Sequence, residues 1–203
     1  MSAAKKQRQP WPMKWIVLII VAVLVPYTYL TLHYRRADKA FEPYADSKDR
    51  ANTMRLLSAG FQRVTLGAAR PADPIRGAAA PTLPAPGGVP AALKPSLVEI
   101  PLLPTEITNV SAPPTADGHA PYPIPFNCTV PDNKQQLGGA ELYLRGHEIW
   151  ITPNFEKLSG ELLARSRENL ILLTVPAGTL KPGSYHVTLV GQNSSRAWTL
   201  QVH

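Results

Sequence analysis

A single cysteine, Cys128, stands in 203 residues. That excludes an intramolecular disulfide framework and any four-cysteine metal site, and a lone thiol in an apolar run is expected to be buried. Other signatures are missing as well. The chain has no Gly-rich phosphate loop, no His-Glu-x-x-His, no Cys-x-x-Cys and no Gly-x-Ser-x-Gly elbow. Its five histidines, His33, His119, His147, His186 and His203, follow no ligand spacing. Catalysis therefore has no visible seat, and the expectation is a protein that is not an enzyme, with no cofactor, no bound metal and no small-molecule substrate. Acidic residues are scarce near the start, where Lys5, Lys6, Arg8 and Lys14 account for four units of the formal charge of +7. Beyond them acids and bases are interspersed, as on a solvated surface, so nucleic acid is not an expected partner.

The chain does contain one long uncharged run, Trp15 to Leu32, "WIVLIIVAVLVPYTYLTL". It has about the length needed to cross a hydrocarbon core of roughly 30 Å as a helix. Trp11 and Trp15 flank one end and Tyr27, Tyr29 and Tyr34 the other, where amphipathic rings favour the water interface. No small-residue cleavage pattern follows, since "PYTYLTLHY" is bulky, so an uncleaved anchor is favoured over a signal peptide. Residues 15–34 are expected to span the bilayer, which makes lipid the first partner, and residues 1–14 form a short basic tail expected on the cytoplasmic side. The chain beyond is expected outside the cytoplasm, on a single-pass protein of a plasma membrane or a bacterial inner membrane. Arg35, Arg36 and Lys39 weaken the charge asymmetry, so this topology rests mainly on which side holds the shorter tail.

Residues 35–66 predict a juxtamembrane helix from about Ser47 to Ala59, with Asp46 as its cap and Gly60 as its stop, followed by a short strand over Phe61 to Leu66. Composition then shifts. Most of the 22 prolines lie between Pro71 and Pro131, and residues 67–105 have neither helical nor strand periodicity. They are expected to act as a Pro/Ala-rich linker, with "PSLVEIPLLP" near its end apolar enough to rest on the next domain or in a partner groove.

Residues 106–203 change to short alternating runs separated by Gly, Pro and Asn, the pattern of an antiparallel sandwich. Strands are expected at Ile107 to Ser111, Ile124 to Val130, Glu141 to Arg145, Glu148 to Thr152, Glu161 to Arg165, Leu170 to Val175, Tyr185 to Val190 and Arg196 to Val202. In "ELYLRGHEIWIT" the Gly146-His147 pair suits a type II′ turn. The register then places Arg145 opposite Glu148, Leu144 opposite Ile149, Tyr143 opposite Trp150 and Leu142 opposite Ile151. The leucines and isoleucines would face the core, leaving Tyr143 and Trp150 as an apolar patch on the other side. That pair is the candidate partner-binding site, unless the apolar end of the linker covers it.

"TLKPGSYHVTLVGQN" sets Leu180, Pro182, Gly183 and Tyr185 just before an alternating strand. This resembles the corner that enters the penultimate strand of immunoglobulin-like and fibronectin type III sandwiches. The resemblance covers about 35 residues. It implies that the Tyr185 hydroxyl bonds back to backbone a few residues upstream and pins a crossover between sheets. The expected fold class is therefore mainly β: a C-terminal immunoglobulin-like antiparallel β-sandwich, preceded by one transmembrane helix, a juxtamembrane helix and a linker. The expected role is to present that domain for protein-protein interaction with an envelope or membrane protein. Two alternatives are a structural subunit of a cell-envelope assembly for secretion or division, and a copper or redox assembly factor using Cys128.

Overall fold

The computed structural model describes residues 12–33, 45–71, 79–160, 162–164 and 166–203, with the side chains of 45–47 outside the description. The chain divides into two units, 1–44 and 45–203. The expected flanking residues Trp11 and Tyr34 lie outside the described residues.

In the first unit, helix α1 covers Met13–His33, predominantly apolar and with no buried side chain. It is long and apolar enough to cross a membrane. Its threonine hydroxyls are satisfied within the segment: Thr28 donates to the Leu24 carbonyl and Thr31 to the Tyr27 carbonyl, both at 2.7 Å. Pro26 sits inside the helix, where a span tolerates it.

The second unit begins with α2, Ala45–Ser58, close to the predicted helix. Its end is a Schellman motif. Gly60 takes φ +76°, its N–H donates to the Leu57 carbonyl at 3.0 Å, and the Phe61 N–H donates to the Leu56 carbonyl at 2.9 Å. The hydrophobic contact that accompanies this motif is made by Leu56 and Phe61, which share one buried cluster. Gly60 thus turns the chain from helix into strand while pressing both residues against the sheet.

Ten strands follow: β1 Gln62–Ala69, β2 Leu83–Pro86, β3 Glu106–Val110, β4 Thr115–Ala116, β5 Tyr122–Thr129, β6 Gln135–Arg145, β7 Glu148–Lys157, β8 Glu168–Val175, β9 Gly183–Leu189 and β10 Ser194–Val202. They form a curled sheet in the order β2-β10-β9-β7-β6-β1-β8-β5-β3, with β4 beside β10. The curl makes a β-sandwich-like domain because β1 belongs to two layers. Its first half, Gln62 to Leu66, pairs with β6, and its second, Gly67 to Ala69, with β8. The larger layer is thus β2-β10-β9-β7-β6-β1 and the smaller β1-β8-β5-β3. Between them lies a core that includes Ile124, Phe126, Leu142, Ile151, Leu173 and Trp198, each at most 2% exposed.

The expected hairpin register is the observed one, with all four pairs from Arg145↔Glu148 to Leu142↔Ile151 in place. Gly146 has φ +63° and no non-glycine residue described has positive φ, as a type II′ turn requires. Three expectations are corrected. Residues 162–164 form no strand, because β7 extends to Lys157 and the chain must then cross between layers before β8; Glu161 and Arg165 lie outside the described residues. Two pairings, β7–β9 and β4–β10, are parallel, where the family resemblance implies antiparallel sheets. The chain leaves β7, runs back as β8 in the other layer, and returns as β9 in the direction of β7. Lastly, the described part of 67–105 is not a free spacer: β1 runs to Ala69, β2 pairs with β10, and Ala80, Leu93, Leu97 and Leu103 are buried. Proline removed the periodic signal without preventing burial of the leucines between the prolines.

Candidate functional site on the outer sheet face

Hairpin β6–β7 puts Tyr143 and Trp150 side by side on the outer face of the larger layer, as the register dictates. Their surroundings differ from the expected open patch. Tyr143 is 2% exposed and Trp150 8%, because α2 and the segment before β3 lie over them. Leu56, Phe61, Leu93, Leu97, Leu103 and Val190 close around the pair as a second core, separate from that between the layers. The Phe61 ring meets Trp150 edge-on at 5.6 Å, and the Arg145 guanidinium stacks 4.6 Å from the Phe61 ring centre. The expectation of Tyr143 and Trp150 as an exposed partner site is therefore corrected. "PSLVEIPLLP" supplies part of the cover through Leu97 and Leu103, and α2 and Phe61 supply the rest.

Beside this core lies a polar cluster that no sequence spacing marks. Arg63 on β1 donates to Glu141 on β6 through Nε at 2.9 Å and through a second guanidinium nitrogen, and to Asp49 on α2 at 2.8 Å. The Tyr143 hydroxyl donates to the other oxygen of Glu141. Burial lowers the Arg63 pKa, but the hydrogen bonds and charges of Glu141 and Asp49 outweigh it, so the guanidinium is held more firmly charged than usual. Burial, then the bond to Glu141, pushes the Tyr143 phenol well above its ordinary value. Neither group exchanges a proton near neutral pH. The cluster acts as a lock, tying α2, β1 and β6 together by charge-assisted hydrogen bonds.

Tyr185 stands where the corner resemblance requires. Its hydroxyl donates to the Lys181 carbonyl at 2.9 Å, at the point where the chain enters β9 after crossing from β8. A second tyrosine, undetected in the sequence, bridges the layers: Tyr122 on β5 donates to the Pro113 carbonyl at 2.7 Å and accepts from Trp198 Nε1 at 3.3 Å.

Cys128 shares the inward face of β5 with Phe126 and is 2% exposed. Burial pushes its thiol up to about 12, against a smaller opposing pull from Arg70. His147 and His186 are exposed; a ring nitrogen of His147 lies 3.1 Å from the Ser184 carbonyl oxygen. Among the described residues, no three His, Cys, Asp or Glu side chains come together as a metal site would need.

No family model, no curated protein and no solved structure matches the chain.

Proposed function

We propose that this protein is a single-pass membrane protein that presents a non-catalytic, immunoglobulin-like domain outside the cytoplasm for interaction with another membrane or envelope protein. The observation that supports the reading is one uncovered 21-residue apolar helix in a chain whose other unit is a compact, mainly β domain. Anchoring raises the effective concentration of the domain near membrane-bound partners, and that is the physical gain of such an arrangement. The tyrosine corner supports the immunoglobulin-like part, while the parallel β7–β9 pair marks a departure from that family's usual strand order.

With Tyr143 and Trp150 covered, the domain's interaction surface lies elsewhere. One candidate is the β7–β8 loop, where Leu162 and Leu163 are 65% and 63% exposed. Two bonds brace its base: the Ala164 N–H donates to the Asn133 carbonyl at 2.6 Å, and the Val130 N–H to the Arg167 carbonyl at 2.9 Å. Site-specific photocrosslinking from position 163 in intact membranes should capture one dominant protein, and that protein should no longer co-purify with a chain from which residues 106–203 are deleted. If an assembly containing the chain survives that deletion, the second reading, a structural subunit of an envelope assembly, takes its place. The buried, hard-to-ionise Cys128 thiol gives a copper or redox role no support.

A further inference from the structure

Outside α1, the exposed large apolar side chains are unevenly placed. Among the described residues there are eight, and five of them, Met54, Leu57, Val98, Ile100 and Leu102, belong to the layer that covers the hairpin. The other three are Leu83 and the loop leucines just described. On α2, Arg50, Met54 and Leu57 recur at spacings of four and three and form a stripe away from the buried Leu56. Segment 98–102 lies alongside the helix, since the Val98 N–H donates to Asn52 Oδ1 at 3.3 Å. Val98, Ile100 and Leu102 alternate along it and are left uncovered, whereas Leu97 and Leu103 go inward.

The charges around this apolar surface are mostly of one sign. Lys48, Arg50, Arg55 and Lys94 are exposed on the cover layer. Of the acids whose side chains are described there, Asp49 is already held by Arg63 and Glu99 is exposed, while Asp46 of α2 lies outside the described side chains. Exposed apolar side chains on a layer with an excess of exposed cations suit the boundary of an anionic bilayer, where the former enter the acyl region and the latter meet lipid phosphates. Only residues 34–44 separate α1 from α2. A bilayer holding the anchor is therefore present at a high local concentration, and a weak surface affinity suffices.

We infer that the cover layer, α2 with segment 98–102, is a membrane-docking face that rests on an anionic lipid surface. The inference rests on the membrane-anchored reading above, and it adds an orientation: the layer over Tyr143 and Trp150 meets lipid, and the remaining surface of the domain is left for partners.

The test uses the full-length chain in vesicles of phosphatidylcholine alone or with about a third phosphatidylglycerol, a proportion chosen to give a strongly anionic surface. An environment-sensitive fluorophore is attached at Met54→Cys, Ile100→Cys or, as a control, Leu162→Cys, each in a Cys128→Ala background. Quenching by spin-labelled lipid is then read. All three sites are exposed, so folding is not at stake at the labelled positions. In anionic vesicles, labels at 54 and 100 should be quenched severalfold more than the label at 162. The combined Arg50→Glu, Arg55→Glu and Lys94→Glu chain should return them to the control level. Equal quenching at all three sites overturns the inference, as does quenching that is the same in neutral and anionic vesicles. Protection of positions 54 and 100 in detergent without lipid also overturns it, by pointing to a second copy of the chain. Flotation with the vesicles after alkaline carbonate washing reports anchoring separately, so loss of the anchor and loss of docking are distinguishable.

Discussion

Leu56 is the one buried side chain that the described part of α2 contributes to the domain, at 1% exposure. Full burial of a leucine stabilises by about 1.5–3 kcal/mol. The helix has few other holds. Its ion pair to Arg63 runs through an Asp49 side chain that is 67% exposed, and such a pair contributes roughly 0.2–1 kcal/mol. A helix of 14 residues is near the length, about 12–15, below which isolated helices are marginal in water. Leu56→Ala therefore removes about 2 kcal/mol from a docking energy of about 3, and α2 should detach and fray while the sandwich beneath stays folded. Hydrogen exchange read by mass spectrometry on the full chain is the assay. Amides of residues 48–58 should lose nearly all protection in Leu56→Ala, with β5, β8 and β10 unchanged. Leu142→Ala, which empties a fully buried site between the layers, should instead lower protection everywhere by about 2–5 kcal/mol. If Leu56→Ala leaves the α2 amides protected, or lowers all amides together, the cover layer is an inseparable part of the main core and the reasoning is wrong.

Tyr185→Phe deletes the corner bond to Lys181 and should lower the urea-unfolding free energy by about 0.5–1.5 kcal/mol. Tyr122→Phe should cost more, about 1–3 kcal/mol, because both the Pro113 carbonyl and the Trp198 indole N–H lose their partner at a buried site. Glu141→Ala removes the acceptor of the Tyr143 hydroxyl and leaves Arg63 with Asp49 alone, and the same titration should register a loss of about 1.5–3 kcal/mol. Stability should also fall at high pH. Burial raises the thiol of Cys128 from 9.0 to about 12 and the phenol of Tyr122 from 10.0 to about 12, so the folded state holds protons that the unfolded chain releases. Their stabilisation is complete below about pH 9 and is lost progressively as pH climbs through 12. Thermal midpoints at intervals across this window check it, and Cys128→Ala should flatten the part of the decline that begins lowest.

Features decided by neighbours in sequence were legible before the structure. The β6–β7 hairpin is set by a two-residue glycine turn, and once the turn type is chosen every cross-strand pair follows, which is why Tyr143 and Trp150 are opposite each other as expected. Gly60 stops α2, and Tyr185 finds a carbonyl four residues back, for similarly local reasons. The fate of the Tyr143–Trp150 pair was not legible, since what covers it comes from Leu56 and Phe61 on one side and Leu93, Leu97 and Leu103 on the other, tens of residues away. A face reads as exposed when its own strand is examined, however completely a distant segment buries it. Proline compounded this between residues 79 and 105, where it breaks the periodicity that marks burial yet holds the chain in extended shapes that suit a strap over a sheet. The Arg63–Glu141–Asp49 cluster gave no signal because three charged residues on three elements form no spacing pattern.

The same strap bears on how any partner engages the domain. An open sheet has two edges, and an unprotected edge strand invites pairing with another chain. Here one edge is β2, whose sequence Leu83-Pro84-Ala85-Pro86 alternates residues that have a backbone N–H with residues that do not. Proline is accommodated in an edge strand where its nitrogen faces away from the ladder, so the outer side of β2 has no donors at Pro84 or Pro86. The other edge is β3, and the chain entering it is held from the side: the Gln192 N–H donates to the Pro104 carbonyl at 2.7 Å and the Asn193 N–H to the Thr105 carbonyl at 3.1 Å, just before β3, while Arg196 of β10 donates from Nε to the Ile107 carbonyl within β3 at 3.2 Å. With donors missing on one edge and the start of the other held by side-on hydrogen bonds, recognition by strand addition is disfavoured. On the proposed reading, a partner would be met through side chains on the faces and loops, so substitutions at exposed positions such as Leu162 and Leu163 should alter its capture while backbone-mimicking extended peptides should fail to compete.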